Sequence, residues 1–383
     1  MPASSDVPSH TCLTLPYKGV DDRPVLVDLY IPSAHLKPAD GGTRPRLASV
    51  VYFHGGGLTV GNRISWFPHW LQRRLNDAGL VFISADYRLI PPATGHDILE
   101  DIIDLFAFLS TGVNEILSRN PTDISTVQLN PDAIAVAGTS SGGLCAYLAA
   151  MHVSPKPKAL LSFYGMGGDF LTAHYLTLKT KPFFRGREML DPAPFARFLF
   201  PRTQAGSPPS DAEEGQIMIS DSPLAYHPPT SPTPGYPANP RMQLTRLYLQ
   251  LGVFLDYYTG CHSPSLSLQM RDILASTATD GADVSNRMKD LIPDEHLCLF
   301  PQLCSSLSDW PSTFLVHGTS DTAVKFDEST HLHRILQEAG VDVTIKVVDG
   351  QEHSFDYQKD AEEKFGATLF DEAVEFLVRR LTA

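Results

Sequence analysis

Three polar side chains, far apart in the chain, have the types and the order that nucleophilic acyl transfer requires. Ser140 lies within the run from Gly138 to Gly142, and Asp321 and His353 each follow an apolar run later in the sequence. A serine hydroxyl becomes a nucleophile when a neighbouring base takes its proton, and a carboxylate fixes the tautomer of that base. The residues therefore predict a triad with Ser140 as nucleophile, His353 as base and Asp321 as orienting acid.

The serine motif reads G-x-S-x-G in one frame only. Ser140 has glycine on both sides at the required spacing, whereas Ser141 would need glycine at position 139, which is Thr139. An apolar run precedes the motif and a helix-forming run follows it, which is the order of a strained strand-to-helix turn that exposes the serine hydroxyl. Glycine and serine also fill ordinary loops, so the interpretation depends on the other motifs.

A second motif, His54-Gly55-Gly56-Gly57, directly follows the apolar run 48–53. Such a loop supplies oxyanion-hole amides in lipases and esterases. Backbone N–H groups aimed at the developing oxyanion contribute about 3 to 4 kcal/mol per donor to transition-state stabilisation. The alternative, a plain glycine-rich turn, is disfavoured because both motifs end apolar strands and occur in the expected order. We therefore expect Gly55, Gly56 and Gly57 in an oxyanion hole.

Other acids and histidines compete for the triad positions. Asp327, Asp349 and Asp356 follow Asp321, and we interpret them as helix-start, loop or turn residues. His317 is the main alternative to His353, but it precedes the acid, whereas this arrangement runs serine, acid, histidine along the chain. We interpret His317 as a structural histidine near the acid loop.

A metal site is not expected. His331 and His333 lie two positions apart on a predicted helix, so they face different ways and make a poor metal pair.

Alternating strand and helix patterns carry these residues. The alternation predicts an α/β fold with a mostly parallel sheet and helices on both faces, begun by two antiparallel strands at 11–17 and 24–31. The main predicted helices are 65–78, 98–117, 329–339 and 361–381. All three triad residues then fall beyond the carboxyl ends of strands, where open α/β sheets form their sites.

The alternation stops between residues 165 and 311, where no strand is predicted. The expected organisation is a core in two parts, residues 1–165 and 311–383, with an inserted, mainly helical lid at 166–310. A Pro/Ser/Thr-rich stretch at 205–240 suggests a mobile part of this lid, with helical patches at 193–199 and 241–258 on either side of it.

The lid is rich in aromatic residues. Most are expected to pack it against the core, and a minority to line an apolar substrate pocket. The substrate-binding residues expected are Leu58, Phe184, Phe198 and Tyr258.

Together these motifs resemble the hormone-sensitive-lipase-like branch of the α/β-hydrolases, with similarity to esterase-like proteins of filamentous fungi, some of which serve secondary-metabolite pathways. The matching segments are His54–Gly57, Asp86–Leu89, Gly138–Gly143, His317–Asp321 and His353–Phe355, and the resemblance covers roughly 25–165 and 310–383. It implies hydrolysis of carboxylic esters without a metal or organic cofactor.

The chain departs from this family at the elbow and in the loop after Asp86–Leu89. Thr139-Ser140-Ser141 stands where the family usually has Asp-Ser-Ala, so the third oxyanion amide would come from Ser141; a backbone donor tolerates that change. Ile90-Pro91-Pro92 replaces the usual Ala-Pro-Glu, and the N-terminal cap helices of many relatives are not expected. Substrate preference therefore transfers less well than chemistry.

Charge and composition limit the partners. The net charge is −13 and the sequence pI is about 5.5, which argues against nucleic acid and anionic membranes. Five cysteines without C-x-x-C spacing predict reduced thiols. The N-terminal residues lack the pattern of a secretory signal and no apolar run is long enough to span a membrane, so a cytoplasmic location is expected.

Two enzymatic functions and one binding function fit the motifs. The first is a serine carboxylesterase acting on a hydrophobic small-molecule ester. The second is a serine acyltransferase or thioesterase acting on a biosynthetic acyl intermediate such as a polyketide, and the motifs do not separate it from the first. A receptor on the same scaffold, like the gibberellin receptors, is disfavoured because that class typically loses the histidine that His353 provides. The oligomeric state is not predicted.

Overall fold

An eight-stranded sheet organises the protein in the computed structural model, which describes residues 9–36, 44–201, 218–276 and 281–382. The strands lie in the order β1-β2-β4-β3-β5-β6-β7-β8, with β1 and β2 antiparallel and all pairs from β4 to β8 parallel. The predicted mostly parallel α/β fold is therefore confirmed. The strands are β1 (His10–Val20), β2 (Arg23–Pro32), β3 (Arg46–Phe53), β4 (Val81–Ala85), β5 (Gln128–Thr139), β6 (Ala159–Phe163), β7 (Ser312–Gly318) and β8 (Val343–Val348).

Helices cover both faces of this sheet. The α-helices in the described residues are α1 (His69–Asp77), α2 (Gly95–Ala107), α3 (Val113–Ser118), α4 (Ser141–His152), α5 (Ala173–Leu176), α6 (Leu244–Leu251), α7 (Phe254–Thr259), α8 (Leu266–Ala275), α9 (Gly281–Lys289), α10 (Phe326–Glu338), α11 (Ala361–Phe365) and α12 (Asp371–Leu381). Two predicted helices, 98–117 and 361–381, are each interrupted by one π-helical turn, at Phe108–Gly112 and Gly366–Phe370. Each of these turns contains a glycine.

Alternate residues of the central strands enter two separate cores. On β3, Val51 and Phe53 pack with α2 and α4, whereas Val50 and Tyr52 pack with α1 and α12. Strands buried on both faces read as nearly continuous apolar runs, which is why the runs at 48–53 and 133–137 were recognisable. The strands β3 and β5 are packed on both faces by these two cores, and the site residues follow directly at their carboxyl ends.

The segment between β6 and β7 contains five of the helices, α5 to α9, and none of the named strands within its described residues. Residues 202–217, which include the first part of the stretch 205–240 predicted to be mobile, lie outside the described residues. An aromatic cluster packs part of this segment into the main core; its members include Phe170, Tyr175, Phe254, Tyr258 and Phe300. We refer to residues 164–311 as the inter-strand segment.

A buried carboxyl group lies at the start of α10. Glu328 is 1% exposed, and its oxygens accept hydrogen bonds from the Tyr175 hydroxyl and the Gly167 N–H, each at 2.7 Å. Burial raises the pKa of Glu328 to about 8, an effect larger than the opposing effect of these two hydrogen bonds. The side chain is therefore neutral in the folded protein at pH values where the unfolded chain has lost the proton.

We expect Glu328→Gln to change how stability depends on pH. The raised pKa means that the contribution of Glu328 is fully present below its unfolded pKa of about 4.3 and is lost as pH rises through the folded value. As pH rises from 5 to 9, the free energy of unfolding of the wild type should therefore fall by a few kcal/mol relative to that of Glu328→Gln. Urea unfolding at pH 5, 7 and 9 measures this.

Glu338→Gln is the matched control, because Glu338 lies at the other end of α10 with its side chain 62% exposed. Parallel pH curves for the wild type and Glu328→Gln would contradict the assignment of a neutral Glu328.

Candidate active site

The turn between β5 and α4 holds Ser140 in a strained backbone conformation. Its φ is 56° and its ψ is −124°, a region that L-residues rarely adopt and that fits a strand-to-helix elbow. The Ser140 N–H donates to the Phe163 carbonyl at 3.0 Å, and the Ser140 carbonyl accepts from Met166 N–H at 2.9 Å. These bonds to the end of β6 hold the turn, and the hydroxyl lines an open cavity.

Close backbone contacts explain the two glycines that flank this serine. A Cβ on Gly138 would lie 2.0 Å from the Gly142 carbonyl oxygen, and one on Gly142 would lie 2.0 Å from the Phe53 carbonyl oxygen. Atoms cannot approach so closely, so any side chain at either position would separate β5, α4 and the end of β3. The glycines are therefore required by the packing of the elbow.

The structure brings Ser140, His353 and Asp321 into one hydrogen-bonded row. The Ser140 Oγ lies 3.0 Å from His353 Nε2, and His353 Nδ1 lies 2.6 Å from Asp321 Oδ2. A carboxylate only accepts, so Nδ1 carries the proton and Nε2 is left to accept from the serine hydroxyl. This is the tautomer that a general base next to serine needs.

Asp321 is held by four donors. The Ala323 and Val324 N–H groups donate to Oδ1 at 2.9 Å each, and His353 and His317 contact Oδ2, His317 Nε2 at 3.2 Å. Burial alone raises the pKa of Asp321, but attraction to His353 and hydrogen bonds from both histidines outweigh it and hold the pKa well below its usual range. The carboxyl group is thus ionised at neutral pH.

His317, the main alternative base, faces the acid and not the serine. It is fully buried, its Nε2 is near both Asp321 and the Val324 carbonyl, and its Nδ1 lies 2.7 Å from Ser329 Oγ. It supports the acid loop, as the sequence analysis interpreted it.

The competing acids lie elsewhere. Asp349 accepts from Thr319 at the surface, and Asp327 is itself exposed in the first turn of α10. Asp356 accepts from Trp70 at 3.2 Å and from the Tyr164 hydroxyl at 2.5 Å.

The glycine loop after β3 lies directly against the nucleophile. A Cβ on Gly55 would lie 3.3 Å from the Ser140 Cβ, and Gly55, Gly56 and Gly57 all line the cavity. Gly56 and Gly57 have φ values of +113° and +62°. Ser141 is buried as the first residue of α4, so its N–H is among the amides that a helix N-terminus leaves unbonded and that favour negative charge.

Buried side chains support this loop from below and from the side. His54 stacks on Tyr87 with ring centroids 4.4 Å apart, and the Tyr87 hydroxyl donates to the His54 carbonyl at 2.8 Å. Burial lowers the pKa of His54 to about 4, so this imidazole is neutral. On the other side, the Thr245 hydroxyl of α6 donates to the Gly57 carbonyl at 2.8 Å.

The cavity above Ser140 has a volume of about 770 Å³. Part of its wall comes from the loops after β6 and β8, including Tyr164, Met166 and Tyr357. Most of the remainder comes from later residues of the inter-strand segment, which begins with Tyr164. These residues are Phe184–Leu190, Tyr226, Thr233–Pro237, Met242, Gln243, Thr245, Arg246 and Leu249. The cavity is therefore roofed mainly by residues between β6 and β7.

Of the four side chains expected to bind substrate, Phe184 alone lines this cavity. Leu58 is fully buried because its φ of +64° turns it into the core. Tyr258 is also fully buried, and its hydroxyl donates to the Leu299 carbonyl at 2.7 Å. Phe198 lines a separate cavity of about 440 Å³. The expectation of substrate contact is corrected for these three residues.

Sequence reasoning missed the aromatic support of the base. The Tyr164 ring lies 4.5 Å from the His353 ring, and its hydroxyl donates to Asp356, whose pKa burial raises to about 6. Tyr164 directly follows the apolar run 159–163, which was the available signal, because residues just past a strand end face the site.

Two kinds of feature are absent from the described part of the chain. No helix there is long and apolar enough to cross a membrane. No cluster of three or more His, Cys, Asp or Glu side chains there is arranged to hold a metal ion.

Comparisons with known proteins agree with this architecture. The alpha/beta hydrolase fold model matches residues 50–209, and the prolyl oligopeptidase family model matches residues 303–381. An esterase from Pyrobaculum calidifontis superposes with a TM-score of 0.53 at 17% identity, covering 99% of this chain and 88% of its own.

Two curated fungal relatives match this chain over part of their own length. The non-reducing polyketide synthase ausA of Aspergillus calidoustus is 27% identical over 369 residues, which are 92% of this chain and 13% of the synthase. The probable carboxylesterase M8 of a Phoma species is 27% identical over 168 residues, 43% of this chain and 50% of that protein. The chain thus spans about an eighth of the polyketide synthase and half of the probable carboxylesterase.

Sheet order, the strained serine turn and the alpha/beta hydrolase fold model together place the chain in the α/β-hydrolase class of fold. Within that class, the resemblance to the hormone-sensitive-lipase-like branch and to fungal esterase-like proteins is confirmed. Its relatives also include fungal polyketide synthases.

Gly57→Ala is expected to distort the glycine loop, which the sequence predicts to form an oxyanion hole. The φ of +62° disfavours alanine, and the added Cβ would lie 2.0 Å from Thr245 Oγ1, which breaks the Thr245 bond to the loop. We expect kcat for p-nitrophenyl butyrate to fall by about 10²-fold or more, the cost of losing one oxyanion donor, with a smaller change in KM.

Gly340→Ala is the control, because it has a φ of +77° but no atom within 4 Å of the added Cβ. It carries the same backbone strain without the contact. An equal loss of kcat in both variants would show that strain, not loop geometry, is responsible.

Proposed function

We propose that this protein hydrolyses carboxylic esters of a hydrophobic small molecule through an acyl-enzyme on Ser140. The observation that carries the proposal is the row of Ser140, His353 and Asp321, with successive distances of 3.0 and 2.6 Å, open to a cavity with both apolar and polar walls. The relation to a probable carboxylesterase supports the same chemistry.

In the acylation step, Ser140 Oγ attacks the ester carbonyl carbon while His353 Nε2 takes the hydroxyl proton. The imidazolium that forms is stabilised by Asp321, which stays ionised because its pKa lies below the usual range. His353 then gives the proton to the leaving alkoxide as the carbon–oxygen bond breaks. Water then attacks the carbonyl carbon of the acyl-enzyme while His353 takes its proton. His353 returns the proton to Ser140 Oγ as the acid leaves.

The negative charge on the tetrahedral intermediate needs donors fixed in advance. We assign this role to the amides of the loop Gly55–Gly57 and of Ser141. The loop lies against Ser140, and Ser141 begins a twelve-residue helix whose positive end favours an anion.

A second candidate function is acyl transfer or thioester cleavage on a biosynthetic acyl intermediate. It is favoured by the matches to polyketide synthases, which extend over about nine-tenths of this chain. The acyl-enzyme chemistry at Ser140 would be the same, with a thioester as the donor or an alcohol as the acceptor. The relative rates with water and with an added acceptor distinguish the two functions.

We further propose that residues 166–310 act as a lid that selects the substrate. Support comes from the cavity wall, most of which belongs to the inter-strand segment. Its apolar members, among them Phe184, Met189, Met242 and Leu249, would contact the hydrophobic part of the ester.

The triad is tested by Ser140→Ala, His353→Ala and Asp321→Asn, assayed with p-nitrophenyl butyrate. We expect kcat to fall by about 10⁴-fold or more for Ser140→Ala and His353→Ala, and the double variant to be no worse than either, because the residues act as one unit. His317→Ala, the rival base, should retain more activity than His353→Ala. The reverse ranking of the two histidine variants would refute the assignment.

Phe184→Ala should alter acyl-chain selectivity. Of the three aromatic residues predicted to bind substrate, Phe184 is the one that lies on the cavity wall. The ratio of kcat/KM for p-nitrophenyl octanoate to that for the butyrate should change by about tenfold, as pocket contacts of this size allow. Phe198→Ala and Tyr258→Ala should lower the melting temperature and leave the ratio unchanged. A flat ratio in Phe184→Ala would remove Phe184 from the binding surface.

A further inference from the structure

A buried arginine without a carboxylate partner lies in the wall of the Ser140 cavity. Arg246, on α6, is 8% exposed. Its Nη2 donates to Gln243 Oε1 at 3.1 Å, and its side chain also hydrogen-bonds to Tyr236. Among the described residues, no Asp or Glu oxygen lies within 4 Å of its guanidinium. Guanidinium groups have five donors, so most of the capacity of Arg246 is unused by the protein.

Other buried or half-buried arginines in the described part of the chain have internal partners. Arg88 pairs with Asp97, Glu100 and Asp101, and Arg63 pairs with two further aspartates. Arg241 has no carboxylate either, but its nitrogens donate to the carbonyls of Thr59 and Ile90 at 2.7 and 3.0 Å, and it does not line the cavity. Arg246 therefore differs from Arg63, Arg88 and Arg241, because it lines the cavity and has guanidinium N–H groups without a partner among the described residues.

A desolvated cation without a counter-ion is unfavourable, and burial accordingly lowers the pKa of Arg246. Fixed neighbours hold the side chain in this position. Gln243 Oε1 also accepts from the Tyr236 hydroxyl at 2.9 Å, and the adjacent Thr245 is bonded to the Gly57 carbonyl of the oxyanion loop. Arg246 is thus held at a set position relative to the loop beside Ser140.

The rim of the cavity has the same sign of charge. Arg185 and Arg187 are exposed on this wall, and Glu188 is the sole acidic residue among the described lining residues. The formal charge of the lining is therefore positive, whereas the whole chain has a net charge of −13. A positive cleft in a negative protein attracts anions specifically.

We propose that the substrate carries an anionic oxygen group, a carboxylate or a phosphate, and that Arg246 binds it while the scissile carbonyl lies at Ser140. This inference rests on the proposed function for the position of the carbonyl. The substrate would be an amphiphilic acyl compound: its apolar part contacts Phe184, Met242 and Leu249, and its anion lies toward α6. The carboxylate would belong to the acyl compound itself, and the phosphate to the carrier of a thioester.

Two matched substrate pairs distinguish these sources. The carboxylate pair is mono-p-nitrophenyl adipate and its neutral methyl ester, followed by nitrophenol release. The phosphate pair is S-hexanoyl 4′-phosphopantetheine and S-hexanoyl pantetheine, followed by thiol release. Each pair is measured on wild type, Arg246→Gln, Arg246→Lys and the control Arg334→Gln, an arginine exposed on α10.

We expect the wild type to prefer the anionic member of one pair, and Arg246→Gln to reduce that ratio of kcat/KM by at least about tenfold, the effect of a charge-assisted hydrogen bond. Arg246→Lys should keep part of the preference, and Arg334→Gln all of it. Both members are assayed on the same sample, so a loss of folded protein cancels in the ratio. Equal ratios in the wild type and Arg246→Gln for both pairs would overturn the inference.

A binding measurement separates this inference from the proposed function. Calorimetric titration of Ser140→Ala compares monomethyl adipate with dimethyl adipate, and 4′-phosphopantetheine with pantetheine. Anion-selective binding that Arg246→Gln abolishes supports the inference even if no ester or thioester is cleaved. Ester hydrolysis by the wild type without any anion-selective binding overturns it and leaves the proposed function intact.

Discussion

Backbone crowding at the serine turn is the constraint on which the rest of this structure depends. The carbonyl oxygens of Gly142 and Phe53 occupy the positions that side chains on Gly138 and Gly142 would need. With glycine there, β3, β5 and α4 meet without intervening side chains, and the residue between strand and helix is forced to a φ of 56°. This close backbone packing places the Ser140 hydroxyl next to the glycine loop and the N-terminus of α4.

Sheet order places the remaining groups along the same edge. From β5 through β6 and β7 to β8, the strand ends supply Ser140, Tyr164, Asp321 and His353 in turn. His353 crosses back over Tyr164 to reach Ser140, which is why the ring contact with Tyr164 at 4.5 Å accompanies the hydrogen bond. The ionised Asp321 completes the row because two backbone amides and two histidines offset its loss of water.

The fold and the three central residues were predictable because their signals are local. Doubly buried strands give continuous apolar runs, and the serine turn and the glycine loop require particular residues at fixed spacing. The cavity wall was less predictable. Phe184 and Phe198 look alike in sequence, yet one lines the cavity and the other a separate pocket, because tertiary packing decides which face is covered. The prediction for Leu58 was wrong for a different reason. Its backbone is left-handed, with a φ of +64°, and its side chain lies in the core and not in the cavity.

The tie between the glycine loop and α6 has a consequence for how such a protein can diversify. Thr245 bonds to Gly57, and Thr59 and Arg241 bond to each other's carbonyls, although nearly two hundred positions separate the partners in the chain. The elements that we propose to choose a substrate are therefore hydrogen-bonded to those that we propose to stabilise charge during reaction. On that assignment, a change in α6 that suits a new ligand would also alter turnover, so specificity and rate would be inherited together.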